Sequence, residues 1–194
     1  MPTKDYVRFL RELLAHPKGV GAVAPSSERL GRRMVQWIDW GQVNSVVEWG
    51  PGTGVFTRLI LESKRSSTKF IAIESSPVFA AFLQERFPTL TVANESVSNI
   101  QAVCRSQGVS EVDATICGLP WACFSDSLQR MYLEALVTVL RPEGQFATFA
   151  YVHGVFLPSA YRFRKKLREY FREVRYSRIV WLNLPPAIVY YCRR

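Results

Sequence analysis

From residue 44 onward, short runs of β-branched and apolar residues alternate with longer stretches in which apolar residues recur every three or four positions. Strand and helix periods taking turns in this way predict βα units, and so a parallel sheet covered by helices on both faces. Strands are expected at 45–49, 69–74, 90–93, 112–117 and 145–151, and helices at 56–63, 77–86, 98–107 and 126–140. Arg141-Pro142-Glu143-Gly144 reads as a turn into the fifth strand. The rhythm then changes. A basic amphipathic helix with Phe163, Leu167, Tyr170 and Phe171 inward precedes two β-rich runs, 175–182 and 187–192, joined by a hairpin-like turn at Asn183-Leu184-Pro185-Pro186. Ahead of the alternation, Tyr6, Phe9, Leu10, Leu13 and Leu14 make one apolar helix stripe, closed by His16-Pro17-Lys18-Gly19. A second helix follows, with Leu30, Met34, Trp37 and Ile38 inward and Ser26 or Ser27 as its N-cap. No repeat or low-complexity tract interrupts the chain, and its 194 residues are expected to form one domain, 1–194.

The sharpest chemical signal lies between the first strand and its helix, in Glu48-Trp49-Gly50-Pro51-Gly52-Thr53-Gly54. Glycines at this spacing let the backbone turn tightly and come close to a ligand beside a helix N-terminus. Glu74 ends the second strand, where a carboxylate can take both hydroxyls of a ribose. The spacing is GxGxG, with an acid two positions ahead, and it resembles motif I of class I methyltransferases. In such enzymes an acidic residue after the third strand lies near adenine. Here that place is held by Asn94-Glu95-Ser96, which reads equally as a solvated turn. Cys117-Gly118-Leu119-Pro120-Trp121 follows the fourth strand. It is similar to the short proline motif of amine methyltransferases, whose backbone carbonyls accept the amine hydrogens while an aromatic ring faces the cation. Cys117 stands where Asn, Asp or Ser is commoner, and a core cysteine beside a proline turn is the plainer reading. Asn183-Leu184-Pro185-Pro186 has a similar look, but lies beyond the fifth strand and is read as a turn.

Composition narrows the setting. Four cysteines without a CxxC pair and two histidines far apart, His16 and His153, argue against a zinc site and suit a reducing compartment. Charges at Lys4, Asp5, Arg8, Arg11 and Glu12 leave no secretory apolar region at the start. The longest uncharged stretch, 144–161, is broken by Gly154 and Pro158, which argues against a spanning helix. The net charge of +9 is unevenly placed: +4 over residues 1–34, −3 over 35–160 and +6 over 161–178. Two basic segments flanking a slightly acidic core attract polyanions, either nucleic acid or anionic lipid, or simply stay solvated.

Gly19-Val20-Gly21-Ala22-Val23-Ala24-Pro25-Ser26-Ser27, the glycine loop through Thr57, Cys117-Gly118-Leu119-Pro120 and Asn183-Leu184-Pro185-Pro186-Ala187 appear in order along the chain. Together they resemble the bacterial phospholipid N-methyltransferase family. The resemblance implies an α/β fold: a single Rossmann-like class I methyltransferase domain with a mostly parallel seven-stranded sheet, helices on both faces and an N-terminal amphipathic helix, 1–18. It implies S-adenosyl-L-methionine as cofactor, S-adenosyl-L-homocysteine as product and no metal. It implies methylation of phosphatidylethanolamine, its methylated forms or ornithine lipid, at the inner face of the cell membrane. The cofactor contacts would be Ser26, Ser27, Glu48, Gly50, Gly52, Gly54, Glu74, Ser75, Glu95, Ser96 and Cys117. Gly118, Pro120, Trp121 and Tyr151 would position the amine, with no general base in view. Lys4, Tyr6, Arg8, Phe9, Arg11, Arg162, Arg164, Lys165 and Lys166 would meet an anionic lipid surface; the N-terminal helix packing on the core is the competing reading. Nucleic acid is not expected as a partner, and a monomer is. The rival enzyme is an rRNA adenine dimethylase-like protein, expected to carry a further C-terminal helical domain for which this chain has no residues. A non-catalytic lipid-binding relative is the rival outside enzymes.

Overall fold

The computed structural model describes residues 26–154 and 158–194. The expected N-terminal helix, with Lys4, Tyr6, Arg8, Phe9 and Arg11, and the 19–25 part of the GVGAVAPSS segment lie outside the described residues.

Besides three short 3-10 turns, six α-helices and seven strands follow one another among the described residues: α1 (Glu28–Val35), β1 (Ser45–Trp49), α2 (Val55–Ser63), β2 (Lys69–Ile73), α3 (Pro77–Arg86), β3 (Thr91–Ala93), α4 (Ile100–Ser106), β4 (Val112–Cys117), α5 (Asp126–Val139), β5 (Leu140–Tyr151), α6 (Pro158–Tyr170), β6 (Glu173–Tyr176) and β7 (Ala187–Arg193). Three helices start on serine caps: Ser27, Ser76 and Ser125 accept the N–H groups of Leu30, Phe79 and Leu128. Each cap satisfies a donor that the first helical turn leaves open, and Pro77 needs none at the start of α3.

The strands form one seven-stranded sheet in the order β3-β2-β1-β4-β5-β7-β6. The first five are parallel, and β7 runs antiparallel between β5 and β6. β1 and β4 are buried along their whole length, which is why both read as near-continuous apolar runs. Alternation sends Val47, Trp49, Ile71 and Ile73 to one face, where Leu133, Leu136, Phe163 and Leu167 of α5 and α6 cover them. Val46, Phe70, Ala114 and Ile116 face the other way, under Leu30 and Met34 of α1 and Phe56, Leu59 and Ile60 of α2. Strand order reverses between β1 and β4, so a crevice opens beyond their carboxyl ends, the usual ligand position of such a sheet.

Three boundaries differ from expectation. Residues 141–144 do not precede the fifth strand but bulge within it: Val112 pairs Leu140 and Ala114 pairs Gln145, leaving four residues opposite Asp113. Glu143 takes a positive φ of 64° in that bulge. The run expected at 175–182 is paired only as β6, after which a single bridge joins Val180 to Ala187. Its later apolar residues, Ile179, Trp181 and Leu182, face solvent. The second helix stops at Val35, and Trp37 lies half-buried against Tyr191 in the turn that follows.

Candidate active site

β1 ends at Trp49, and the glycine loop leaves it as a sharp turn. Gly50, Gly52 and Gly54 have φ values of 63°, 53° and 79°. At Gly52 an added Cβ would meet nothing within 4 Å. The left-handed backbone there serves no packing need, and leaves open space against the chain. The loop is pinned around that space. Gly50 N–H donates to Ile73 O at 3.0 Å, and Gly54 N–H to Pro51 O at 2.9 Å before Gly54 opens α2. Arg86 of α3 reaches across to Thr53 O at 2.7 Å, a contact that the sequence reading missed.

Glu74 stands beside the loop at the end of β2. Its Oε2 accepts the Gly52 N–H at 3.1 Å, and its Oε1 the Ser76 N–H at 2.9 Å. Each oxygen keeps lone pairs for a further donor. Burial raises its pKa, and the Ser76, Gly52 and Ser75 amides work against that rise. Asn94 donates to Glu74 O at 2.8 Å and holds the turn after β3 against the end of β2.

Glu48 is fully buried under α2. Thr57 Oγ1 donates to its Oε2 at 2.6 Å, while Oε1 has no hydrogen-bond partner. Burial lifts its pKa to about 8; the Thr57 hydrogen bond opposes this, and the nearby Glu74 charge adds to it. An orphaned buried carboxylate oxygen costs free energy that a cationic or donor ligand group would return. The place of Thr57 in the first turn of α2 puts it over the end of β1.

The turn after β4 meets the glycine loop directly. Gly118 N–H donates to Trp49 O at 2.7 Å. A Cβ on Gly118 would fall 2.6 Å from Gly50 O, so only glycine lets the two loops touch. Leu119 packs over Gly50, and Gly118, Leu119 and Pro120 remain part-exposed at the carboxyl edge. Tyr151 ends β5 on the same edge, half-buried and stacked on His153 with ring centroids 5.8 Å apart. Burial, and then Cys123, raise its pKa, so it stays a neutral phenol near neutrality.

Several expected site residues have other work. Trp121 is 2% exposed, stacked on Phe163 at 4.6 Å and edged by Phe124, Tyr132 and Phe146. Its ring therefore supports the loop from below rather than facing an amine. Its Nε1–H donates to Thr148 Oγ1 at 2.9 Å, which in turn donates to Cys117 O at 3.1 Å. Cys117 is wholly buried, and burial pushes its thiol up to about 12, so it stays a neutral thiol at the end of β4. Ser27 Oγ is committed to capping α1, and its N–H donates to Asn183 Oδ1 at 2.8 Å. Ser26 is half-buried beside it, and Ser75 is exposed next to Glu74. Glu95 is exposed and accepts from Asn99 Nδ2 at 2.9 Å, while Ser96 caps the short turn that follows. Lys166 is 3% exposed and is held by Asp126 and by Gln129 Oε1, the latter at 3.2 Å. It ties α6 to α5 and cannot meet a lipid surface. Arg162 and Lys165 are exposed, and Arg164 is half-buried.

No protein-family model matches the chain. An O-methyltransferase from Bacillus cereus, solved in complex with SAH, superposes with a TM-score of 0.64 at 10% identity, over 99% of this chain and 92% of that one. A SAM-dependent O-methyltransferase from Thermotoga maritima gives 0.64 at 17% identity, over 94% and 72%. A spermidine synthase from Thermotoga maritima gives 0.62 at 12% identity, over 87% and 59%, so the fold does not by itself name the group transferred. Sheet order, glycine loop and paired carboxylates place the chain in the class I methyltransferase fold. Sequence narrows the class: the ornithine lipid N-methyltransferase of Singulisphaera acidiphila is 32% identical over 193 residues, 98% of this chain and 96% of that protein. The chain belongs to the ornithine lipid N-methyltransferase family.

Proposed function

We propose that this chain, as a single domain and a monomer, transfers methyl groups from S-adenosylmethionine to the terminal amine of ornithine lipid or a related amino-lipid, at the inner face of the cell membrane. The observation that carries the reading is the cradle at Gly52. Its backbone is left-handed, open space lies over its Cα, and its N–H is held by Glu74. The residues present fit a sulfonium nucleoside. Glu74 retains lone pairs for two ribose hydroxyls, and the unpartnered Glu48 Oε1 suits the cationic amino end of the methionine moiety.

When bound, S-adenosylmethionine supplies a methyl group on a good leaving group, so alignment and desolvation dominate the rate. In the transfer the acceptor N–C bond forms, the C–S bond breaks, and the amine's proton leaves for solvent. The Gly118–Pro120 turn orients the acceptor through backbone carbonyls, and the Tyr151 ring offers a face to the growing cation. Tyr151 does not take the proton, because burial holds it as a phenol.

Methyl-labelled cofactor offered with amino-lipid vesicles and ribosomal RNA in one tube tests the reading. Label in the lipid fraction is the expected result. Label in RNA alone would make the chain an RNA methyltransferase, and label in neither would leave a non-catalytic relative.

A further inference from the structure

The connection between β6 and β7 is the least covered apolar part of the described surface. Leu184, Trp181 and Leu182 are 81%, 70% and 64% exposed, and Ile179 points outward beside them. Yet the loop is firmly held. Val180 and Asn183 are buried, Val180 N–H donates to Ala187 O at 2.8 Å, and Asn183 Nδ2 donates to Pro185 O at 2.6 Å. Through Ser27 N–H, Asn183 also fastens the loop to the start of α1. Apolar prongs on a pinned loop lose little conformational freedom when they are buried elsewhere.

Position and charge say what buries them. Ala187 pairs with Tyr151, and Val152 N–H donates to Pro186 O at 2.8 Å, so the prongs stand at the carboxyl edge of the sheet with the candidate acceptor site. The loop begins at Ser177, which lines a groove of about 550 Å³ with Tyr161, Arg164, Lys165, Arg168 and Tyr176 and without any carboxylate. Arg178 is exposed between groove and prongs. Apolar tips with a tryptophan, next to a cationic groove, match the acyl boundary and the phosphates of an anionic bilayer. No helix among the described residues is long and apolar enough to cross a membrane.

We propose that residues 177–184 form the interfacial anchor of the enzyme, with Ile179, Trp181, Leu182 and Leu184 entering the bilayer and the Arg164–Lys165–Arg168 groove engaging lipid phosphate. The proposal rests on the amino-lipid reading above, and replaces Lys166 with the loop as the membrane-facing feature of the C-terminal part.

The test is binding of the full-length protein to phosphatidylglycerol–phosphatidylcholine vesicles, by co-sedimentation and by tryptophan quenching with brominated lipid. Changing Trp181, Leu182 and Leu184 together to Ser should weaken binding roughly tenfold or more. Activity on a soluble short-chain acyl-ornithine and the affinity for S-adenosylhomocysteine should stay unchanged. Trp181→Phe should keep binding and lose most of the quenching. The proposal is overturned by unchanged affinity in the triple variant, by absence of quenching, or by binding that depends only on residues 1–25. It is also overturned if the wild type sediments as a dimer that the triple variant dissolves. Should the wild type methylate no amino-lipid while the loop still governs vesicle binding, the function fails and the anchor stands.

Discussion

Two buried glutamates at the ends of β1 and β2 do different things because their hydrogen bonds differ. Glu74 accepts two backbone amides, which favour its charged form, whereas Glu48 has one hydroxyl donor and an orphaned oxygen. With a folded pKa of about 8 against 4.5, Glu48 stays protonated in the native state while the unfolded chain ionises. Its contribution to stability is therefore full below about pH 4.5 and is lost as pH rises toward 8. Glu48→Gln should flatten that decline in the ligand-free protein, measured as urea midpoints from pH 5 to pH 8; a parallel decline in both proteins would remove the assignment. The spacing Glu48-x-Gly50-x-Gly52-x-Gly54 was legible in the sequence because its chemistry is local, set by one turn between a strand and a helix. The surroundings of Trp121 and Cys117 were not legible, for the opposite reason. What they touch depends on Phe163 and Thr148, brought in by α6 and β5.

At the scale of elements, the contact between the glycine loop and the turn after β4 is a backbone contact, closed by Gly118 N–H on Trp49 O. Gly118→Ala forces a methyl to 2.6 Å from the Gly50 carbonyl oxygen. The two loops must part, with an expected cost of about 1–3 kcal/mol in denaturant unfolding and weaker cofactor binding by calorimetry. An alanine variant with wild-type stability and affinity would show that the loops do not need this approach. α6 repeats the lesson about legibility. Its basic residues were read as one set facing anionic lipid, yet Lys166 lies three positions after Phe163 and beside Leu167, on the inward face. Helical spacing held that signal. Its partners, Asp126 and Gln129, lie 40 and 37 residues earlier and could not be read from it.

Across the whole molecule, five parallel strands bring Glu48, the glycine loop, Glu74, the Gly118 turn and Tyr151 to one edge, and the β7 insertion brings residues 177–186 there too. The alternating pattern foretold the parallel part, and the hairpin-like turn between two β-rich runs foretold the antiparallel pair of β6 and β7; the insertion of β7 between β5 and β6 was not legible, since long-range pairing leaves no local mark. The uneven charge of the sequence acquires a place as well, because α6 turns Arg162 and Lys165 outward while Lys166 is spent inside. The family relation points to a lipid amine as acceptor, and the open cradle at Gly52 is the proposed position of the donor. Both come together in one measurement: mass spectrometry of ornithine lipid after incubation with S-adenosylmethionine bearing a trideuterated methyl group. Wild-type protein should add the heavy methyl to the terminal amine, and a folded Glu74→Ala variant should add at least about a hundredfold less, having lost the carboxylate that holds Gly52 and is proposed to hold the ribose. Equal labelling by the two proteins, or unlabelled lipid with the wild type, would contradict the account.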